Sequence, residues 1–365
     1  MIGYRKISEV CTVTTGEKDV NEGANDGLYP FFTCAALPLR SNSYSFDGDA
    51  ILLPGNGANV GLVMFYHGKF EAYQRTYVLH NFKEHAPYIF YFLKGLWKFS
   101  VIWKQYGSAT NYIRLHNITD FKIPLPPLPI QKRIAAILEK ADAAREKRRQ
   151  TIELTDKFLQ SAFLEMFGDP VTNPKGWDVN TFNKIADIEK DGILPLNIPK
   201  DSFYVGLEHI EKESGRLIGY QNAFDADLKS NKFIFTSEHI LYGKLRPYLN
   251  KVCIPNISGI CSTDIIPIMP IKGKSNKFFL AYHMKHKSFV DKATSLSAGA
   301  NLPRISPKIL ETFNVYFPPL FLQQKFAALV EKVEAMRTKQ RASEQELENL
   351  FQSLMQRAFK GELVS

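Results

Sequence analysis

A duplicated segment constrains the fold of this chain more than any other feature. Residues 121–168 and 313–360 align without a gap, and 16 of the 48 aligned residues are identical. The identical residues include a Pro-Pro pair, a glutamine four positions after it and an Ala-Ala pair. Because solenoid repeats have periods of roughly 20–50 residues, the much longer period here predicts two related halves instead.

Both copies of the duplicated segment predict a long amphipathic helix. The first copy contains no glycine or proline from Gln131 to Phe167, and its apolar residues recur every three or four positions near both ends. Such a helix of 37 residues would be about 55 Å long and would not be stable alone in water. We therefore expect the two helices to pair with each other in antiparallel orientation. The alternative is two unrelated surface helices, each packed on its own domain.

The rest of the sequence divides into two globular parts with mixed α and β patterns. Short β-type runs such as DAILLP, VGLVMFY and TYVLH are separated by glycine and proline, while residues 86–106 and 276–293 have helical patterns. The predicted fold class is α+β, with two pseudo-repeated mixed α/β domains separated by two long antiparallel helices that form a coiled coil. The predicted boundaries are residues 1–120 and 169–312 for the globular domains, and residues 121–168 and 313–365 for the helices.

Charge, apolar runs and cysteine content indicate what kind of partner and which compartment to expect. The net charge of +9 suggests a polyanionic partner. The chain has no run of 18 apolar residues and no apolar signal core near its first residue, so we expect neither a membrane span nor export. Its four cysteines form no CxxC pair, which favours free thiols in a reducing compartment. We therefore expect a cytoplasmic protein.

The motifs of common catalytic sites are absent from the sequence. An adenine methyltransferase would need a polar residue before Pro-Pro, but Leu125 and Phe317 precede the two pairs. The glycines of PGNGANVG lie in no βαβ unit and are typical of tight turns, and no Walker lysine motif is present. His283 and His286 are expected to be a surface pair, because further metal ligands are missing nearby. The sequence predicts no catalytic residue and no metal site.

Two variable globular parts, each followed by a helix of the pattern PPLxxQxx[IF]AA, resemble the specificity subunit of type I restriction-modification systems. The resemblance covers nearly the whole chain and is carried by IPLPPLPIQKRIAAILEKAD, FPPLFLQQKFAALVEK, MFGDPVTNPKGW, FQSLMQRAFKGEL and AYQRTYVL. It implies that each globular part is a target recognition domain that binds one part of a split, asymmetric site in double-stranded DNA. The paired helices would then act as a spacer.

The same resemblance implies partners that perform the chemistry. Two methyltransferase subunits would bind the helices and carry S-adenosylmethionine, and motor-nuclease subunits using ATP and magnesium would join through them. This chain would bind none of these cofactors. Two alternatives are a structural coiled-coil adaptor without DNA recognition and a self-sufficient DNA methyltransferase.

Two matched loops in each half are candidates for DNA contact. The strand loop follows a β-type run and spans residues 54–60 and 244–250, and the distal loop spans residues 107–115 and 297–305. The strand loops differ in chemistry, as readers of different bases must. Alignment of the halves matches an asparagine and an arginine of one distal loop with the same residue types in the other, which favours phosphate contacts. With a third group at residues 74–75, the candidates are Asn56, Asn59, Gln74, Arg75, Ser108, Thr110, Asn111, Arg114, Lys244, Arg246, Tyr248, Asn250, Ser297, Asn301 and Arg304.

Apolar residues near the ends of the helices exceed what a pair of helices can cover. We therefore expect helices of the methyltransferase subunits to complete a bundle with them. The candidate partner-binding residues are Phe158, Phe163, Phe351 and Met355.

Overall fold

The computed structural model describes residues 3–103, 106, 111–226 and 228–363. The chain forms two compact units. Unit 1 comprises residues 1–149 and 342–365, and unit 2 comprises residues 150–341. Each unit therefore contains one globular part together with half of each long helix. None of the helices in the described part of the chain is both long and apolar enough to cross a membrane.

The described residues of unit 1 form nine strands and, before the first long helix, three shorter helices. The strands are β1 (Gly3–Lys6), β2 (Thr12–Thr15), β3 (Tyr29–Phe32), β4 (Leu39–Ser41), β5 (Asp49–Pro54), β6 (Met64–His67), β7 (Glu71–Ala72), β8 (Thr76–His80) and β9 (Lys122–Leu125). The helices are α1 (Ile7–Val10), α2 (Ala86–Val101), α3 (Leu115–Thr119) and the long helix α4 (Leu128–Phe167). An antiparallel sheet has the order β2-β8-β5-β6, a second sheet has the order β4-β3-β7, and β1 pairs with β9.

Unit 2 repeats this plan with additional strands. The strands are β10 (Asp178–Thr181), β11 (Ala186–Ile188), β12 (Gly192–Ile193), β13 (Phe203–Val205), β14 (Gln221–Asn222), β15 (Lys232–Phe235), β16 (Ile240–Gly243), β17 (Val252–Cys253), β18 (Gly259–Cys261), β19 (Ile265–Pro270) and β20 (Asn314–Phe317). The helices are α5 (Lys277–Lys285), α6 (Lys287–Ser295), α7 (Pro307–Leu310) and the long helix α8 (Leu320–Phe359). The sheet orders are β11-β19-β16-β17 and β12-β15-β18-β13-β14, and β10 pairs with β20.

The two units share one strand register, which confirms the predicted duplication. Ile51 of β5 faces Leu79 of β8, and Ile240 of β16 faces Ile268 of β19, so the same antiparallel pair recurs at corresponding places in the two units. The predicted β-type runs of the first half form β5, β6 and β8. The α+β fold class with two pseudo-repeated domains is therefore correct.

In unit 1 the first half of α4 packs against the second half of α8. Ile134 and Leu138 share a buried cluster with Phe351 and with residues of α2. Beyond this cluster, the Arg145 guanidinium contacts the Glu348 carboxylate at 2.5 Å and lies 4.2 Å from the centroid of the Phe351 ring. The helix ends are therefore covered by the other long helix and by the globular part together.

In unit 2 the second half of α4 packs against the first half of α8. Phe163 and Phe167 contact the Phe326 ring of α8 at centroid distances of 5.6 and 5.5 Å. Phe279 of α5 lies 5.8 Å from Phe163 and 4.9 Å from Phe167. The late part of one long helix thus meets the early part of the other, as antiparallel pairing requires.

The repeated glutamine ties each long helix to the N-terminus of a shorter helix in its globular part, α2 in unit 1 and α5 in unit 2. The Gln131 Oε1 atom accepts the His85 N–H at 3.1 Å, just before α2, and the Gln323 Oε1 atom accepts the Asn276 N–H at 2.9 Å, just before α5. Each Nε2 atom donates to the carbonyl of the first proline of the preceding Pro-Pro pair, at 2.9 and 2.8 Å. Both glutamines are buried. These bonds explain why the spacing between the proline pair and the glutamine is the same in both copies.

Three local predictions need correction. The helical pattern of residues 276–293 forms two helices, because His286 has an extended backbone and caps α6 with its side chain. Among the described residues of the 86–106 pattern, helix α2 ends at Val101. His283 is not a surface residue: it is buried, and this burial lowers its pKa to about 3. All four cysteines are free, as expected.

Candidate nucleic-acid interface

In unit 1 the backbone brings the strand loop and the distal loop together. The Gly57 N–H donates to the Asn111 carbonyl at 2.8 Å, and the Ile113 N–H donates to the Gly55 carbonyl at 2.9 Å. The Arg75 carbonyl accepts the Gly55 N–H at 2.9 Å, so the third candidate group lies beside the strand loop. A Cβ atom at Gly55 would lie 2.4 Å from that carbonyl oxygen, which explains the glycine.

Unit 2 builds the same connection. The Arg246 N–H donates to the Pro303 carbonyl at 2.7 Å, and the Ile305 N–H donates to the Lys244 carbonyl at 3.1 Å. Each unit therefore presents one continuous surface made of a strand loop and a distal loop. This pairing of loops that are far apart in sequence is the geometry of the candidate site.

The hydrogen bonds correct the predicted alignment of the distal loops. They make Asn111 the equivalent of Pro303 rather than of Asn301. Arg114 is the N-cap of α3 and corresponds to the N-cap of α7, not to Arg304. The predicted matches were thus wrong by two residues. The shared asparagine and arginine no longer support phosphate contact by equivalent side chains.

Several candidates of unit 1 use their side chains within the chain. The Asn59 amide donates to the Cys34 carbonyl at 2.8 Å, and the Gln74 amide donates to Asp19 at 3.2 Å. Asn59 is therefore a tether of the strand loop, although it remains partly accessible. Asn56, Arg75, Asn111 and Arg114 are exposed or half-buried and stay predicted DNA contacts. Ser108 and Thr110 lie outside the described residues.

Three candidates of unit 2 are occupied by internal contacts. Asn250 is buried, and its amide donates to the Lys285 carbonyl at 3.0 Å, so its predicted role in DNA contact was wrong. The Ser297 hydroxyl donates to the Ala293 carbonyl at 2.7 Å. The Arg304 guanidinium donates to both carboxylate oxygens of Asp264 at 2.9 and 3.3 Å, and these bonds raise its pKa. Its charge is thus already paired.

The remaining candidates of unit 2 face solvent. Arg246, Tyr248 and Asn301 are exposed, and Lys244 is half-buried. They stay predicted DNA contacts. A cation, a tyrosine and an amide on one short surface can supply hydrogen bonds to phosphates and to base edges.

An aromatic group beside Arg114 was not among the predicted site residues. The rings of Tyr106 and Tyr112 lie 5.6 Å apart, and the Arg114 guanidinium lies 4.4 Å from the Tyr106 ring. A hydrogen bond with Tyr112 raises the pKa of Arg114. The two tyrosines pair through reciprocal backbone hydrogen bonds of 2.9 Å. In the sequence, Tyr106 directly precedes the distal loop and Tyr112 lies within it, and no recognised motif links the two residues.

The predicted partner-binding surface also needs correction. Phe163, Phe351 and Met355 are 2%, 3% and 5% exposed, because α2 and α5 cover the helix ends within the chain. Their predicted availability to another subunit was wrong. Phe158 is 50% exposed, and Leu350, at the equivalent position of α8, is 51% exposed. Other apolar residues of the long helices are also exposed, but Phe158 and Leu350 are the pair that occupies equivalent positions in the duplicated segment.

The described residues contain no cluster of three or more His, Cys, Asp or Glu side chains arranged to bind a metal ion. The candidate site is thus a surface of loops, aromatic rings and cations.

Comparisons with known proteins agree with this duplicated architecture. Residues 2–155 and 174–349 match the family described as the type I restriction modification DNA specificity domain. The EcoDI specificity subunit of a type I restriction enzyme from Escherichia coli is 30% identical over 398 aligned residues, which cover 99% of this chain and 88% of that protein.

Solved structures show the same fold. The S subunit of a type I restriction-modification system from M. genitalium aligns with a TM-score of 0.65 and 16% identity, over 98% of this chain and 96% of that chain. A second structure, from work on complex assembly and conformational transition of the type I R-M system, gives a TM-score of 0.53 at 16% identity over 99% and 98% of the chains. At this level of identity, both likenesses support the fold alone.

Proposed function

This chain belongs to the type I restriction-modification DNA specificity family, as a specificity subunit with two target recognition domains, and we propose that these domains read the two parts of a split, asymmetric DNA site. Unit 1 binds one part and unit 2 binds the other. The long helices connect the two readers.

One observation carries this proposal. The two units hold their loop pairs with equivalent backbone hydrogen bonds, but they place different side chains on them. The glutamines that attach the loops' domains to the helices are identical. Two domains that read different bases need the same loop backbone with different side chains on it. Two helix surfaces that bind the same kind of partner need the same residues in both copies.

Two equivalent exposed apolar positions support a proposal for how partners dock. Phe158 and Leu350 are equivalent, similarly exposed, and located one in each unit. We assign them to two copies of the methyltransferase subunit, which carry S-adenosylmethionine. The motor-nuclease subunits, with ATP and magnesium, join through these copies. This chain then contributes recognition and no catalytic group.

A salt titration of DNA binding tests the proposal. The complex of this chain with its methyltransferase subunits is titrated with duplex DNA at about 50 and about 200 mM salt. Neutralising six or more phosphates weakens binding by about 1,000-fold or more between these concentrations, because condensed counterions are released. We expect this fall for cognate and random duplexes, with the cognate duplex bound more tightly at both.

The control is the methyltransferase subunit without this chain, which should not distinguish cognate from random DNA. If the complex binds both duplexes equally at every salt concentration, this chain acts as an adaptor and the proposed function is wrong.

A further inference from the structure

Gly57 and Arg246 occupy the same place in the two units. Each is the third residue after its strand, β5 or β16. Each donates its N–H to the distal loop, at 2.8 Å to Asn111 and at 2.7 Å to Pro303. Each carbonyl accepts the N–H of the residue three positions later, at 3.3 and 2.9 Å. The backbone at this position therefore makes the same hydrogen bonds in both units.

This turn forces both residues into the left-handed backbone region. The φ angle is 82° at Gly57 and 53° at Arg246. Residues with a side chain are disfavoured there, because Cβ approaches the following carbonyl oxygen. A side chain at Gly57 would enter open space, so crowding does not explain the glycine. In unit 1 the turn forms with glycine at this position. In unit 2 the same turn has an arginine, although residues with a side chain disfavour a positive φ angle.

Within the described part of the chain, the Arg246 side chain makes no hydrogen bond. It is exposed, and its hydrogen bonds among the described residues involve only its backbone. Arg304, on the adjoining loop, is in contrast bound by both oxygens of Asp264. Backbone strain that no internal contact of the side chain offsets is characteristic of functional positions. A planar guanidinium that is not bound internally can donate two hydrogen bonds to the O6 and N7 atoms of guanine.

We propose that the position shared by Gly57 and Arg246 determines specificity: Arg246 reads one guanine in the part of the site bound by unit 2, and Gly57 leaves the corresponding base in the other part unread. This inference rests on the proposed function and assigns it to one side chain. The arginine is thus kept at the expense of fold stability.

The test compares the unmodified complex with complexes that carry Arg246→Gly or Arg246→Lys. Binding is measured against duplexes in which each base of the recognised site is varied in turn. For both variants we expect discrimination at a single guanine of one half-site to fall by about 5- to 150-fold, since neither glycine nor lysine has the rigid planar fork of the guanidinium. Discrimination in the other half-site should not change.

Thermal unfolding separates base reading from a structural role. Arg246→Gly should raise the midpoint by about 2–4 °C, because the left-handed strain is relieved. Arg246→Lys keeps the charge and the strain, so its midpoint and its affinity for random DNA should stay unchanged. A lower midpoint for Arg246→Gly, or equal loss of affinity for all duplexes, would overturn the inference. If the unmodified complex shows no base preference at all, the proposed function itself fails.

Discussion

Replacing Phe163 by alanine is expected to lower the free energy of unfolding by about 3–5 kcal/mol, the cost of deleting a buried phenyl ring. The Phe163 ring is packed among Phe167, Phe279, Tyr282 and Phe326, with centroid distances from 5.1 to 6.3 Å. These residues belong to both long helices and to α5, so the cavity would lie where the helices meet the globular part of unit 2. Chemical denaturation of the purified protein measures the loss.

Phe158→Ala is the matched control, because it removes the same ring from the same helix at a half-exposed position. Its stability should change by less than about 1 kcal/mol. It should instead weaken binding of the methyltransferase subunit, measured by titration of one protein into the other. Equal destabilisation by the two variants would contradict the assignment of Phe163 to the core. Unchanged binding of the subunit to Phe158→Ala would contradict the docking assignment.

Removing the repeated glutamine is the second change with a large expected effect. Gln323→Ala should cost about 1–3 kcal/mol, because it leaves the Asn276 N–H and the Pro318 carbonyl without their partner. The same change at Gln131 should cost a similar amount in unit 1, where the bonds are equivalent. Chemical denaturation measures the loss in the free energy of unfolding. Hydrogen exchange of the Asn276 amide measures the loss of the hydrogen bond itself.

The neighbouring Gln324 supplies the control for this prediction. It is exposed, so Gln324→Ala should change stability by less than about 0.5 kcal/mol. If the two substitutions had the same effect, helix propensity rather than the buried hydrogen bonds would explain the repeated residue.

The sequence predicted those features that depend on regular periodicity or on duplication. The gap-free repeat revealed the two units, and the helical spacing of apolar residues revealed α4 and α8, which begin directly after their Pro-Pro pairs. The apolar runs of the first half revealed β5, β6 and β8, which belong to one sheet of unit 1. The two loops of the candidate site were found because they lie at corresponding places in the halves.

The sequence could not predict features set by contacts between distant segments. A single offset between the halves misaligned the distal loops, because the true offset changes along the chain and is larger for the distal loops than for the sheets. The pairing of Arg304 with Asp264 joins residues from distant segments that share no motif. Burial of Phe351 follows from its packing against α2, which helical periodicity alone does not reveal.

The most direct test of two separate readers is the pattern of methylated adenines in DNA from cells that express this chain with the proposed methyltransferase subunit. We expect one motif with two defined parts, separated by a fixed number of unspecified bases. Exchanging the loops of unit 2 for those of a relative should then change only one part. A single uninterrupted motif, or a change in both parts after that exchange, would show that the two units do not read DNA separately.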